Sequence, residues 1–506
     1  MHLNKKMVRS SSLGSSVLIV VVLAIMTKAI GFIKQIVIAS VFGANAQTDA
    51  FYLAFGLITS ITYAIFYAIN VVLIPHCQKL RIKTHQLSAF ISNALFLFLI
   101  ITIGLSIILF YYSDSISSLL VSPSSQISIK DISHYFVLLL PILTLGCINT
   151  VLGSVMEANK IFTYSKSLGV IISVCIILSV LLFNELIYLD CLVLGILVGY
   201  GIQLVILFFS IKKLIQFKRP NVKNNFYIKN LLFSIFPLLL GNSIYEFNKT
   251  IDRFLSTGFS IGSASALSYG QSLFDSLCAL TITSVISVLF SYASDFVSNN
   301  RFEKLIETID KCIIYLYILI MPIAFLIIIN GYYIVRIIYG YGLFDNHAIY
   351  NTYLVLCGYA IGLPFLILRE IFTKIHFAFQ DTKNPTKNSI LAVLVNIIAS
   401  IILSRFMGII GITIATSFAY AISSFLMIIS LKKHLKYSFN PILPKVSKIL
   451  ISLLLTAVLN LFLNYFHAHQ ILIIFISVIS YFVILYLFRL EELVYLYFKV
   501  RGIILK

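Results

Sequence analysis

Apolar residues run along this chain in about fourteen long stretches, and polar residues collect in the gaps between them. Most stretches approach the ~20 residues a helix needs to cross the hydrocarbon core. They lack the period-two alternation of barrel strands, and a backbone in lipid must satisfy its own hydrogen bonds, so each reads as a helix. The pattern predicts crossings at 13–39, 49–74, 87–112, 132–156, 163–184, 187–211, 230–257, 264–292, 311–331, 350–373, 387–405, 409–431, 446–466 and 470–488. The expected fold class is an all-α polytopic membrane protein.

Charge gives the crossings a direction. Alternate gaps hold 29 of the 37 Lys and Arg residues, among them Lys5, Lys79, Lys160, the run from Lys212 to Lys229, Arg301, Lys383 and Lys432. The other gaps hold only Lys130, Arg336 and Arg405. Positive charge stays on the cytoplasmic side, which predicts that both termini are cytoplasmic.

Composition narrows the class further. Sixty per cent hydrophobic residues, 11% charged residues and a mean hydropathy of +1.02 exclude an ordinary soluble domain, which carries about 25% charge. The net charge of +19 is dispersed over loops, so it indicates topology and contact with anionic lipid headgroups, with no nucleic-acid partner. Trp is absent, leaving interfacial anchoring to tyrosines such as Tyr111, Tyr112, Tyr332 and Tyr333. The seven cysteines show no CxxC or Cys/His spacing, and neither a metal site nor a disulfide framework is expected. The first apolar run has a basic start but continues past Ile25 without a small-residue cleavage site, so it reads as a retained helix rather than a signal peptide. The longest polar gaps, around 212–229 and 293–311, are too short to fold alone, so no enzyme is expected.

The chain also repeats. Ala50 to Leu57 aligns with Ala266 to Leu273 at an offset of 216, each opening a helix after a small-residue loop, GANAQT or SIGSAS. Asn159-Lys160 through Lys166 aligns with Gln380-Asp381 through Lys387 at an offset of 221. Six crossings return the chain to its starting side, so two copies would be parallel, related by a pseudo-two-fold along the membrane normal, with a substrate site between the halves. The expected organisation is an N-terminal six-helix lobe over 1–215, a C-terminal six-helix lobe over 225–435, and an appended helix pair over 440–506.

Ionisable groups within the membrane cost several kcal/mol and mark candidate sites. The cations are Lys28, Lys34, Lys249, Arg253 and Arg369; the acids are Asp49, Glu246, Asp252, Asp275 and Glu370. Glu246, Lys249 and Arg253 fall on one helical face, with Asp252 at its margin. Two cations one turn apart repel, so this face must look into protein or a wet cavity, either to bind an anion or to be neutralised by Glu246 and Asp252. Asp49 sits in a first helical turn, where capping is the structural alternative. Arg369 and Glu370 point about 100° apart, too far to satisfy one another fully. Pro141, Pro237, Pro322 and Pro364 are expected to kink helices.

The segment TKAIGFIKQIVIASVFGANAQTDAFYLAF (Thr27 to Phe55) resembles the opening of the MurJ/MviN lipid II flippases, within the multidrug/oligosaccharidyl-lipid/polysaccharide exporter superfamily. Lys28 and Lys34 stand at two family arginine positions, and Thr48-Asp49-Ala50-Phe51 matches intact. NKTIDRFLSTGFSIGSASALSYGQSL (Asn248 to Leu273) and REIFTKIHFAFQDTKNP (Arg369 to Pro385) are similar to later family segments. The resemblance implies alternating access in a bacterial inner membrane. A central cationic cavity would take the headgroup of an undecaprenyl-pyrophosphate-linked cell-wall precursor while its tail stays among membrane lipids. Lys28, Lys34, Asp49, Lys249, Asp252, Arg253 and Arg369 are the expected substrate-binding residues, in a monomer working without a cofactor. No GxxxxGK[ST] motif occurs, so transport would draw on membrane potential or an ion gradient; Asn396 is one candidate ion ligand. The family's arginine early in its second helix is missing here, and Tyr269-Gly270-Gln271-Ser272-Leu273 lacks the arginine of a Y-A-x-R-L pattern. Those departures remove part of a pyrophosphate clamp and make an O-antigen or exopolysaccharide flippase the main alternative. A drug/cation antiporter of the same superfamily, or a scaffold without transport, are further alternatives.

Overall fold

The computed structural model describes residues 13–80, 84–123, 125–212, 235, 239, 246–465 and 469–493. The basic residues before Leu13, those at 81–83 and 213–229, Pro237 and the C-terminal basic run from 494 lie outside the described residues. Among the described residues, thirteen helices are long and apolar enough to cross a membrane. The expected crossing at 230–257 is described mainly over its last part, which is helical at 246–256. This is an all-α polytopic membrane protein.

Residues through Ser268, together with Tyr341–Ala348, form one compact unit. It contains α1 (Leu13–Phe42), α2 (Ala46–Leu80), α3 (Thr84–Tyr111), α4 (Ser113–Leu119), α5 (Ile129–Leu139), α6 (Pro141–Ala158), α7 (Thr163–Lys166), α8 (Leu168–Ile187), α9 (Asp190–Ile211) and α10 (246–256). Helix α2 packs on α5 and α6, α1 on α8, and α8 on α9. Leu73, Phe90, Ile91, Val151, Leu152 and Leu207 are buried together between α2, α3, α6 and α9. Lipid is as apolar as these side chains, so close approach rather than water exclusion must hold neighbours together. The α8–α9 pair shows it: a Cβ on Gly195 or Gly199 would lie 2.6 Å from Ile176 Cα or 2.8 Å from Ile172 Cα.

The second unit comprises Tyr269–Gly340 and the chain from Ile349. Its helices are α11 (Ser263–Cys278, which begins in the first unit), α12 (Ser284–Ser298), α13 (Phe302–Tyr339), α14 (Asn346–Ala378, likewise begun in the first), α15 (Lys383–Met407), α16 (Ile409–Leu431), α17 (Leu443–Tyr465) and α18 (Gln470–Leu487). A π-helical turn, Ala279–Thr283, joins α11 to α12. Helix α15 packs along α16, and α13, α17 and α18 pack together. Buried Asn460 donates to Asn330 Oδ1 and Ser477 Oγ, each at 2.9 Å, tying these last three helices.

Two helices depart from their expected lengths for identifiable reasons. Helix α13 has 38 residues, about 57 Å at 1.5 Å per residue, well beyond the ~30 Å hydrocarbon core. Its first turns, expected as a polar gap, are a charged extension in which Lys311 Nζ lies 2.5 Å from Glu307 Oε1. The crossing expected at 132–156 runs over Ile129–Ala158, interrupted at the single residue Leu140 directly before Pro141, whose missing N–H disturbs the helical ladder as expected.

Pro322 and Pro364 do lie inside helices, as does Pro75. Pro322 cannot donate to the Ile318 carbonyl four residues before it. Tyr481 of α18, fully buried, donates its hydroxyl to that oxygen at 3.4 Å, restoring the lost partner from a neighbouring helix. Tyr481→Phe should therefore cost about 1 kcal/mol, read as a lower thermal midpoint in detergent with secondary structure retained at low temperature.

The backbone carries the repeat more clearly than the side chains do. Tyr188 and Gly408, 220 positions apart, both have positive φ, 47° and 67°, in the turns closing the α8–α9 and α15–α16 hairpins. Lys160 (φ 64°) and Gln380 (φ 58°) share the same separation. The residue after each donates five positions back, Ile161 to Met156 and Asp381 to His376, both at 2.9 Å, the pattern of a Schellman cap. The shared register here is 220, one less than the offset of 221 that aligns Asn159-Lys160 with Gln380-Asp381.

Candidate functional site

In the first unit α10 lies across small residues of α2. Ser60 Oγ is 3.3 Å from the Glu246 carbonyl and 3.2 Å from Thr250 Oγ1. One turn earlier on α2 is Gly56, where a Cβ would come within 2.6 Å of Arg253 Nη1 and 2.8 Å of Arg253 Cζ. The bare glycine backbone thus makes the berth in which the guanidinium rests. Glu246, Thr250 and Arg253 recur at helical spacing, so this stripe of α10 faces α2. The sequence identified the charges but not Gly56 or Ser60, and the small residue four before a hydroxyl was the available signal.

Lys249 is half-buried and its Nζ is 3.5 Å from Glu246 Oε1, a long contact to a carboxylate that is itself buried. Neutralisation by Glu246 is thus partly realised for Lys249. Asp252 is buried on the same helix. On α1, Lys28 is exposed and Lys34 half-buried, and the adjacent Gln35 accepts the Tyr52 hydroxyl at 2.9 Å, fixing α1 against α2.

Asp49 is held by donors at the start of α11. The N-cap of its own helix is Asn45, whose Oδ1 accepts from Gln47 N and Thr48 N, each at 3.0 Å. The Asp49 carboxylate, 1% exposed, turns to the start of α11. Oδ2 accepts from Gly262 N at 2.7 Å, and Oδ1 accepts from Ser265 N at 2.6 Å and Ser265 Oγ at 2.5 Å. A carboxylate here meets the unpaired N–H groups and positive dipole end of a neighbouring helix. Close by, Leu343 N donates to Ser40 O at 2.9 Å and Ser122 N to Thr257 Oγ1 at 2.8 Å. These contacts fasten the helix ends away from the basic loops.

In the second unit Arg369 is half-buried, its Cζ 5.6 Å from the Tyr420 ring centroid. Its Nη1 reaches 3.5 Å from Glu370 Oε1 despite the 100° offset of adjacent helical positions, because both side chains are long enough to bend together. Asp275 is exposed. Asn396 is buried and donates to Thr416 Oγ1 at 3.0 Å.

A family model described as "Lipid II flippase MurJ" matches residues 38–482. The chain belongs to this family. Among relatives, the probable lipid II flippase MurJ of Rickettsia prowazekii is 26% identical over 413 residues, covering 79% of this chain and 80% of the relative. That of Borreliella burgdorferi is 24% identical over 445 residues, covering 87% of each. A solved structure titled as lipid II flippase MurJ in an inward closed conformation superposes with a TM-score of 0.78 at 20% identity, covering 93% of this chain and 98% of that one. An inward-facing multidrug resistance MATE family transporter of the MOP superfamily gives a TM-score of 0.62 at 12% identity, over 82% of this chain. The MurJ fold likeness extends over 93% of the chain, and MurJ family members are transporters rather than catalysts of a chemical reaction.

Proposed function

We propose that this chain moves lipid II, or a close undecaprenyl-pyrophosphate-linked analogue, from the cytoplasmic to the outer leaflet of a bacterial inner membrane. The observation that carries the reading is the Arg253 guanidinium seated on Gly56 inside a transmembrane segment of a lipid II flippase family fold. A pyrophosphate cannot enter hydrocarbon bare, and a forked guanidinium with an ammonium one turn away replaces part of its hydration. Arg253 and Lys249 are the principal phosphate-binding groups in this reading. Lys28, Lys34 and Arg369 supply further positive charge, Asp252 sets the charge balance of α10, and Asp49 holds architecture. The basic loops face the cytoplasm, placing both termini there. The family match favours this reading over a cation antiporter, whose cavity would need excess acid.

The test is replacement in cells. In a bacterium depleted of its own lipid II flippase, expression of this chain should restore growth and the appearance of lipid II on the outer leaflet. Normal membrane insertion with no lipid II on the outer face would defeat the reading and direct the search to another lipid-linked glycan.

A further inference from the structure

At the basic-loop ends of the second unit, two imidazoles and a carboxylate converge from three segments. His376 lies in the last turn of α14, Asp381 in the turn before α15, and His434 just after α16. His376 Nδ1 is 3.0 Å and His434 Nε2 3.1 Å from the same oxygen, Asp381 Oδ2. One donor atom from each residue lies within 4.8 Å of the others. We propose that His376, Asp381 and His434 bind a divalent transition-metal ion, zinc being the ion best suited to this donor set.

Two imidazoles and one carboxylate are a borderline-soft set that leaves a fourth position for water, as in three-ligand zinc sites. Metal bonds of about 2.0–2.2 Å at near-tetrahedral angles separate their ligand atoms by roughly 3.3 Å. The two N–O separations, 3.0 and 3.1 Å, are close to that value.

The surroundings orient the ligands. His376 is 0% exposed, and its second nitrogen, Nε2, lies 3.1 Å from the Met427 carbonyl and 3.0 Å from Ser430 Oγ. The tautomer that donates Nε2–H to Met427 leaves the Nδ1 lone pair facing a carboxylate oxygen, an arrangement that calls for a cation between them. Metal-bound histidines are held in this way, through a second N–H given to a carbonyl. The His434 ring stacks on Phe379 with centroids 5.1 Å apart and planes 16° from parallel. Asn384 also holds the carboxylate, donating from Nδ2 to Oδ2 at 2.7 Å and from N to Oδ1 at 3.1 Å. The bound ion would staple the α14–α15 turn to the exit of α16.

The full chain, purified in detergent and stripped with a chelator, should bind one equivalent of Zn(II), and Co(II) should give the intense visible bands of a four-coordinate site. His434→Ala, which changes a partly exposed side chain, and Asp381→Asn should each weaken binding at least ~100-fold, and Ser430→Ala by about 10-fold through the outer shell. His347→Ala, away from the cluster, should bind as the parent does. Mg(II) and Na(I) should not compete. Failure of the parent to bind Zn(II), or equal binding by parent, His434→Ala and Asp381→Asn, overturns the proposal. None of these readouts depends on lipid transport.

Discussion

Arg253→Ala should abolish measurable outward lipid II transport while leaving membrane insertion and the thermal midpoint close to those of the parent. Truncating one member of a buried charge pair costs about 2–5 kcal/mol, much of it from stranding the other charge. Applied to a bound pyrophosphate, that is roughly a 30-fold loss or more. Arg253→Lys keeps the charge but not the planar fork, and should fall between the two. Gly56→Ala offers an independent approach to the same group. Its new Cβ must displace the tip of a flexible side chain rather than backbone, so transport should drop with little change in stability. The measurements are outer-leaflet lipid II in the depleted host and thermal unfolding of each purified variant. Undiminished transport in both Arg253→Ala and Gly56→Ala would remove this berth from the mechanism.

The second large effect is expected at Asp49, and there it should be on stability. Asp49→Ala strands two buried backbone N–H groups, of Gly262 and Ser265, and removes one of the two acceptors of the Ser265 hydroxyl, leaving Thr48 Oγ1. At about 1–3 kcal/mol for each stranded group, a loss of roughly 2–5 kcal/mol should appear as a markedly lower thermal midpoint. Ser265→Ala removes only one hydroxyl and should cost about 1 kcal/mol. If Asp49→Ala unfolds no earlier than Ser265→Ala, the carboxylate is not what fastens the 262–265 turn.

The crossings were legible because hydrocarbon thickness imposes a length and continuous apolarity on every span, and α16 was placed at its observed bounds, Ile409–Leu431. Ends were less legible, because a helix need not stop where lipid does. The charged first turns of α13 and the six residues of α2 beyond Ile74 continue regular hydrogen bonding past the apolar run, the latter through Pro75. The cations of α10 could be read from their spacing, but their berth could not: Gly56 and Arg253 meet only through tertiary packing. Asp49 shows the same limit. Its position in a first turn was visible, yet the N–H groups it accepts from are more than 200 residues away. The cluster of His376, Asp381 and His434 leaves no close spacing in the sequence because its third member arrives from the end of another helix.

The π-helical turn at Ala279–Thr283 carries one residue more than the α-turn it replaces. Passing that surplus residue along to the next turn would swing the intervening side chains by about 100°, with each amide merely exchanging one carbonyl for its neighbour. The crossing formed by α11 and α12 therefore has a built-in way to change which side chains it presents without tilting, melting or leaving its place among the other helices.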